Sequence, residues 1–576
     1  MTVATRSIRP APKSAIGVGS LLNTVILGIV ACLVLYPAFT LFVTSFEVGA
    51  FTPNASTGFD NWIDVFESPR LVDAIVNTLT LSFVRQAIGL SLGIIIAWLI
   101  ARTNLPMGGW LEVGFWIALF MPALPVTLSW VLLAGGNIGI LNTFAMTLPF
   151  VDSPPFDIYS YWGIIWVHTM TSTLAIKVFL LVPAFRAMDA ALEDAARTCG
   201  ASIFKTLLHI VVPIMMPTIA VVILLGLIRS MQAFEIELIL GKPANIDVYS
   251  TIIFNAVSDE PPQYGIASVL SIIFLATVLP FVVLQQWYGQ GHSHASITGK
   301  YSSRVQDLGA LRRPLFVGIA GLLLVMTVLP FAMLMMSSFM KFFGMFDLPQ
   351  PWTLRNWEEA FSRGDILRSF WNSIRLATSA ALVGMVAFSI IAYVTVRTPF
   401  YGRKLLDFLT WLPAVIPGLV LSLGLLQMFV GTPIFRPIYG TMSVLVMALV
   451  IGTMTLGTQV IKTALMRIGP ELEEASVAAG ASKFYTFRRV MLPLIVPSVA
   501  VIGLEVFAVG VSVVGLVALL GTGATQPMSI IQLILLENGM FESAAVVGIL
   551  IMTTTISAAL LARYIGLKVG IGRASA

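Results

Sequence analysis

Charged residues are scarce in this 576-residue chain: Asp, Glu, Lys and Arg make up 11% of it, against 57% hydrophobic residues. A water-soluble domain carries about 25% charged residues. A chain this poor in charge cannot clothe a water-facing surface, so most of its surface must face lipid. Cysteine is nearly absent as well. Cys32 lies in an apolar run and Cys199 in a segment placed below in the cytoplasm, which excludes a disulfide framework. The four histidines, His168, His209, His292 and His294, are not spaced as metal ligands. A lone ligand makes no site, so His168 reads as a packed or pore-lining residue. No G-x-x-x-x-G-K-S/T stretch occurs. Gly241-Lys242 and Gly299-Lys300 lack both the preceding glycine and the following hydroxyl residue, so the chain has no usual route to ATP hydrolysis. No catalytic constellation and no metal or cofactor site is apparent. The net charge of +5 is too small to indicate nucleic-acid binding.

What the chain has instead is long apolar runs. A span needs roughly 20 apolar residues. Such runs lie near 20–45, 73–100, 112–133, 160–183, 214–238 and 266–286, then 315–338, 370–395, 407–430, 441–465, 494–518 and 543–563. The first follows Arg6, Arg9 and Lys13 but is too long for a signal peptide and reads as a retained span. Pro122, Pro125, Pro413 and Pro417 predict kinked or broken third and ninth spans. With the N-terminus inside, 23 of the 33 Lys and Arg residues fall in cytoplasmic segments, whereas the outer loop 47–69 carries Glu47, Asp60, Asp64 and Glu67. This bias places both termini in the cytoplasm.

The two halves repeat. Residues 192–217 match 472–497 without a gap at an offset of 280, with 10 of 26 positions identical. At an offset of 295, Phe59-Asp60-Asn61-Trp62 echoes Leu354-Arg355-Asn356-Trp357, Asn77-Thr78 echoes Asn372-Ser373, and Arg102-Thr103 echoes Arg397-Thr398. The change of offset places 15 extra residues in the first half, in the outer loop near 134–160. Asn77 and Asn372 read as helix caps at the outer face. The expected architecture is an all-α integral membrane protein with about 12 transmembrane helices in two tandem six-helix domains. They are related by a pseudo-two-fold axis along the membrane normal, with a path at their interface. The expected divisions are a tail at 1–19, a first domain at 20–286, a cytoplasmic linker at 287–313, a second domain at 314–564 and a tail at 565–576.

The matched segment follows the fourth span of each half. It opens with acids, Glu193-Asp194 and Glu473-Glu474, which favour a first helical turn. A short Ala-rich helix follows, then Gly200 or Gly480, where a sharp bend is allowed, and finally Pro213 or Pro493. A helix held at an angle beneath the membrane can serve as a lever for a motor subunit. The alternative is an interfacial helix with no partner. Two copies at equivalent places argue for a two-fold partner.

Both segments resemble the EAA loop of bacterial ABC-importer permeases: E-A-A, three residues, G, nine residues, then I-x-L-P. Glu193, Asp194, Ala195, Ala196 and Gly200 lead to Ile210 and Pro213; Glu473, Glu474, Ala475, Ser476 and Gly480 lead to Val490, Leu492 and Pro493. Val212 and Val490 depart mildly from the pattern. The resemblance covers almost the whole chain as two type I permease domains. It implies that the loops dock on a separate ABC ATPase, expected as a homodimer, which binds ATP-Mg while this chain binds no cofactor. It further implies a periplasmic or lipid-anchored solute-binding protein and a place in the bacterial cytoplasmic membrane.

Charges at membrane depth are costly and mark a path or a partner. Arg85, Arg229, Glu235, Glu237, Arg375 and Glu505 are the candidates. Arg229 aligns with Val509, Glu235 with Gly515 and Glu505 with Leu225, so the path is electrically asymmetric. Arg229 and Glu505 are expected to approach each other across the pseudo-two-fold axis. The fused layout and phrases such as MQAFEIELILGKPA resemble ferric-iron importer permeases. 2-Aminoethylphosphonate, thiamine and other small solutes remain open. The rival of another class is an ion-coupled secondary transporter, which has no need of paired docking loops.

Overall fold

Backbone groups in lipid must be satisfied within the segment that carries them, so the apolar runs fold as helices. The computed structural model describes residues 18–136, 139–189, 191–291, 305–346 and 348–568. The tail with Arg6, Arg9 and Lys13, the linker stretch with His292, His294, Lys300 and Arg304, and the residues after Lys568 lie outside these. In the first repeat the helices are α1 (Val18–Thr44), α2 (Asp60–Glu67), α3 (Pro69–Arg102), α4 (Gly108–Leu119), α5 (Ala123–Ala134), α6 (Ile140–Ala145) and α7 (Tyr161–His168). They continue with α8 (Leu174–Arg186), α9 (Ala191–Thr198), α10 (Ile203–Thr206), α11 (Val212–Met231), α12 (Glu235–Ala244), α13 (Tyr249–Ser258) and α14 (Tyr264–Gly291). The second repeat comprises α15 (Arg312–Leu323), α16 (Leu329–Ser338), α17 (Arg355–Ser362), α18 (Gly364–Arg397), α19 (Arg403–Trp411) and α20 (Gly418–Gly431). It closes with α21 (Met442–Met466), α22 (Glu471–Ala478), α23 (Lys483–Thr486), α24 (Leu492–Ser512), α25 (Met528–Glu537) and α26 (Phe541–Lys568).

Among the described residues, ten continuous helices are long and apolar enough to cross a bilayer, and two further pairs are bent. The pairs are the expected proline-bearing third and ninth spans. The chain turns by 97° between α4 and α5, and by 111° between the helical stretch Arg403–Ala414 and α20. Pro122 and Pro417 stand at the breaks, where a fixed φ and a missing N–H stop a helix from running through. Every residue of α5 from Leu124 to Ala134 is buried, as is α20 from Leu419 to Phe429. These are inner helices at the centre of the molecule, not lipid-facing crossings. The fifth and eleventh spans also differ from expectation. Helix α11 stops at Met231 and α24 at Ser512, although the apolar composition runs on to about 238 and 518.

Each repeat lays its first span against the inner helix of the other. Tyr36 Oη and Thr432 Oγ1 are 2.9 Å apart, and Thr40 Oγ1 donates to the Gly424 carbonyl at 3.1 Å. Reciprocally, Ser129 Oγ of α5 donates to the Pro330 carbonyl of α16 at 2.9 Å. Such exchanged contacts are what a two-fold relation produces.

The repeat anchors seen in the sequence are the cross-links of this scaffold. Asn61 Nδ2 donates to the Ser45 and Glu47 carbonyls at the end of the first span, and Asn356 Nδ2 to those of Ser338 and Met340. Asn77 and Asn372 do not cap their own helices, which begin earlier, at Pro69 and Gly364. Asn77 instead donates to the Asp247 carbonyl at 3.0 Å, and Asn372 to that of Ala524 at 2.9 Å. Their neighbours cap other helices. The Tyr249 N–H donates to Thr78 Oγ1 at 3.0 Å and the Met528 N–H to Ser373 Oγ at 2.8 Å, at the starts of α13 and α25. The first repeat's extra residues lie in the loop between α5 and α7, where Asn142 binds the Gly135, Gly136 and Phe156 carbonyls.

A side chain at Gly424 would meet the Pro37 carbonyl at 2.7 Å. Gly424→Leu is therefore expected to destabilise the chain by about 1–3 kcal/mol, read as a lower Tm of the detergent-solubilised protein. An unchanged Tm would mean that α1 is not seated on α20.

Candidate functional site: coupling loops and the inter-repeat path

Both matched loops fold alike. Helices α9 and α22 end in a left-handed glycine, Gly200 at φ +82° and Gly480 at φ +87°. Beyond each, the Ala201 N–H reaches the Ala196 carbonyl at 3.0 Å and the Ala481 N–H that of Ser476 at 3.1 Å, a Schellman-type cap. Ser202 and Ser482 then accept from the N–H groups of Lys205 and Tyr485, starting α10 and α23. A Cβ at Gly200 or Gly480 would meet nothing within 4 Å, so these positions need glycine for backbone conformation and not for space. The outward surfaces are apolar for exposed helices: Leu192, Phe204, Leu472, Val477 and Tyr485 all stand clear of the protein.

The acids of the two loops divide their roles. Glu193 is 1% exposed; its Oε2 accepts from Arg102 Nη2 at 3.2 Å and from Gln306 Nε2 at 2.7 Å. Arg102 also donates to the Met188 carbonyl at 3.1 Å. In the second loop Tyr393 Oη donates to Glu473 Oε1 at 2.9 Å, and Arg397 Nε lies 3.9 Å from Glu473 Oε2. The first acid of each loop thus ties it to the end of the long helix α3 or α18. Ala195, Glu474 and Ala475 are exposed, and Asp194 and Ser476 half-buried. A second ion pair fixes the fourth span in each repeat: Arg186 with Glu112 at 2.8 Å, and Lys462 with Asp407 at 2.6 Å. Glu112 and Asp407 are matched positions, while the two cations sit one helical turn apart.

Among the intramembrane charges, Arg85 and Glu237, both candidates for a path, pair with each other. They are sealed inside the first repeat, each 2% exposed, at 2.9 Å. His168 Nε2–H donates to the same Glu237 oxygen at 2.8 Å, and Arg85 Nε also binds Ser230. His168 is therefore a packed residue, as one reading of the sequence had it, yet it is not isolated. The matched positions in the second repeat are Ala380, Ala448, Gly510 and Val517, all small or apolar. Lys177 shows the same divergence. It is 1% exposed, its Nζ donates to the Thr173 carbonyl at 2.8 Å, and its stem lies over Gly93. In the second repeat Phe388 and Gly457 occupy the corresponding places with bulk and gap exchanged. Sequence distance hid the Arg85–His168–Glu237 cluster, because its members come from three separate helices; the one signal was the polar-to-apolar mismatch between repeats.

The remaining charges lie toward the other repeat. Glu235 opens α12, and its carboxyl faces the backbone N–H groups of Val514 and Gly515, the latter its own repeat equivalent. Gln232 Nε2 donates to the Ala414 carbonyl at 3.2 Å. The field of Arg229 reaches Glu505, but no ion pair within 4.0 Å joins them. Arg375 is exposed and stands apart from this group. No group of three or more His, Cys, Asp or Glu side chains among the described residues could hold a metal ion.

A family model described as "Binding-protein-dependent transport system inner membrane component" matches residues 89–293 and 385–570. A probable ABC transporter permease protein of Sinorhizobium fredii is 27% identical over 76% of this chain and 78% of its own length. The ferric transport system permease protein of Actinobacillus pleuropneumoniae is 25% identical over 92% of this chain and 75% of its own. A Salmonella typhi permease protein named for 2-aminoethylphosphonate transport is 26% identical over 38% of this chain and 75% of its own. A bacterial alginate ABC transporter of known crystal structure aligns with a TM-score of 0.40 at 20% identity, over 47% of this chain and 96% of that one.

The second repeat shows that the space of the polar cluster can be filled without charge. Arg85→Leu alone takes the guanidinium from the buried Glu237 and leaves it only the His168 contact, and should cost about 3–5 kcal/mol. The combined Arg85→Ala, His168→Ala, Ser230→Gly and Glu237→Val chain should lose much less. Thermal unfolding of both variants in detergent measures the contrast; an equal loss would show that the cluster has no apolar substitute.

Proposed function

The chain belongs to the family of binding-protein-dependent transport system inner membrane components and is the multi-pass permease of an ABC importer; on that premise we propose that it carries ferric iron. Membership sets aside the ion-coupled alternative, and it implies an ATPase subunit and a solute-binding protein as partners. The reading of the coupling loops rests on one observation: two copies of the same capped lever, α9 with Gly200 and α22 with Gly480, each tied by its first acid to a long span. We take these as the docking sites of an ATPase homodimer, with Leu192, Phe204, Leu472, Val477 and Tyr485 as the apolar contact. ATP-Mg belongs to that partner and this chain binds no cofactor. Both termini lie in the bacterial cytoplasm. A periplasmic or lipid-anchored binding protein delivers the solute at the outer face.

The path runs between the repeats, beside Glu235 of α12 and between Arg229 of α11 and Glu505 of α24. Iron is favoured because the ferric permease relative aligns over 92% of this chain. Carboxylates such as Glu235 and Glu505 suit a hard cation. The second reading, 2-aminoethylphosphonate, rests on the relative that aligns over 38% of the chain. Proteoliposomes holding the chain, its ATPase and its binding protein should take up radioactive ferric iron only with ATP. Uptake of labelled 2-aminoethylphosphonate in its place would replace the cargo assignment and leave the importer intact.

The loops give a sharper test. A β-branched residue in the left-handed region costs roughly 1–3 kcal/mol, whereas asparagine tolerates it. Gly200→Val with Gly480→Val should lower ATP-driven uptake at least tenfold and loosen ATPase binding. The Asn pair should keep most activity. If the Val pair transports normally, the loops are not levers.

A further inference from the structure

We propose that the end of the segment joining the two repeats is a working part of the first coupling loop, with Gln306 as a positioning residue that makes the two loops mechanically unequal. This rests on the coupling role given to the loops above, and not on the cargo.

Gln306 is 3% exposed. Its backbone runs parallel to the end of α3: the Gln306 N–H donates to the Arg102 carbonyl at 2.8 Å, and the Asn104 N–H donates to the Gln306 carbonyl at 2.9 Å. Asn104 fastens the next residues, donating to Asp307 Oδ1 at 2.6 Å and accepting from the Leu308 N–H at 3.1 Å. From that seat the Gln306 amide reaches Glu193 Oε2 at 2.7 Å, the same oxygen that Arg102 holds. A carboxylate buried to 1% and held by a guanidinium and an amide fixes the direction of α9 against α3. Second-repeat helix α15 begins at Arg312, a few residues further on.

The second loop is held differently. Its second donor is Tyr393, on α18 itself, and among the described residues no linker strand takes part. The Arg397–Glu473 contact is longer, 3.9 Å against 3.2 Å, and more open to solvent, at 11% and 20% exposure against 3% and 1%. Ion pairs weaken as water enters. The first loop therefore moves as one body with α3 and with the entry to the second repeat, whereas the second loop gives more readily.

The experiment follows amide hydrogen exchange in the full chain in lipid nanodiscs, comparing 191–198 with 471–478 as an internal control. In the unaltered chain the first segment should exchange more slowly. Gln306→Ala should speed exchange in 191–198 about tenfold and leave 471–478 unchanged. Gln306→Glu with Glu193→Gln exchanges amide and carboxylate, and should restore most of the protection that Gln306→Ala removes. In the complex with its ATPase, Gln306→Ala should retain ATP hydrolysis but transport about threefold fewer ferric ions per ATP. Equal exchange of the two segments in the unaltered chain overturns the proposal, as does a Gln306→Ala chain in which 191–198 is unaffected or both segments loosen together. If the unaltered complex moves no ferric iron, the cargo assignment falls and the exchange contrast still decides the role of Gln306.

Discussion

Inside a bilayer, a backbone that leaves the helix must find its hydrogen-bond partners in protein, because lipid offers none. The chain leaves the helix near membrane depth at 120–122 and 415–417, again at 232–234, and in the stretch after Ser512. At 232–234 and after Ser512 the support comes from later helices: Ser250 Oγ of α13 donates to the Ala233 carbonyl and Ser529 Oγ of α25 to that of Val513. Asn77 and Thr78 hold the approach to α13, and Asn372 and Ser373 hold that to α25. Gln232 of the first repeat serves the Ala414 carbonyl at the second repeat's break. The breaks at 232–234 and 415–417 thus meet across the inter-repeat interface.

On this shared scaffold the two repeats have filled their interiors by different means. The first closes its core with a charged cluster, Arg85, His168 and Glu237, where the second uses Ala380, Ala448 and Val517. Replacing a buried ion pair by packed apolar residues is often neutral in stability, which is why both solutions can coexist on one fold. At the inner face, by contrast, the repeats keep the same interactions and alter only their detail. Arg102 and Arg397 both reach the first acid of a matched loop, and Glu112 and Asp407 both hold a cation of the fourth span. The ion pairs that anchor the matched loops and the fourth span are held in common, while the buried interiors have diverged.

Much of this was legible in the amino-acid order. The matched pairs at Asn61 and Asn356, Asn77 and Asn372, and Arg102 and Arg397 are the scaffold's cross-links, and the positive φ of Gly200 and Gly480 follows the glycine reading. The prolines marked the broken third and ninth spans. Other features were not legible. Hydropathy runs on through Phe234 and Val513, so composition could not show where α11 and α24 stop. Asn77 and Asn372 looked like caps of their own helices because nothing local reveals that α3 and α18 start a further two turns back. Arg85 and Glu237 lie 152 residues apart, and periodicity says nothing of pairings at that range. Gln306 sat in a polar Gly/Ser-rich stretch that gave no reason to expect a buried side chain.

The traded bulk between Lys177 over Gly93 and Phe388 over Gly457 also bears on how a tandem duplication survives. Recombination between two similar halves of a gene tends to collapse them into one hybrid. A hybrid joining the early part of the first half to the late part of the second would set Gly93 against Gly457 and leave a hole in the bilayer core. The reverse hybrid would force Lys177 and Phe388 into one space. Either product is a poorly packed membrane protein, so the two halves cannot exchange their parts freely.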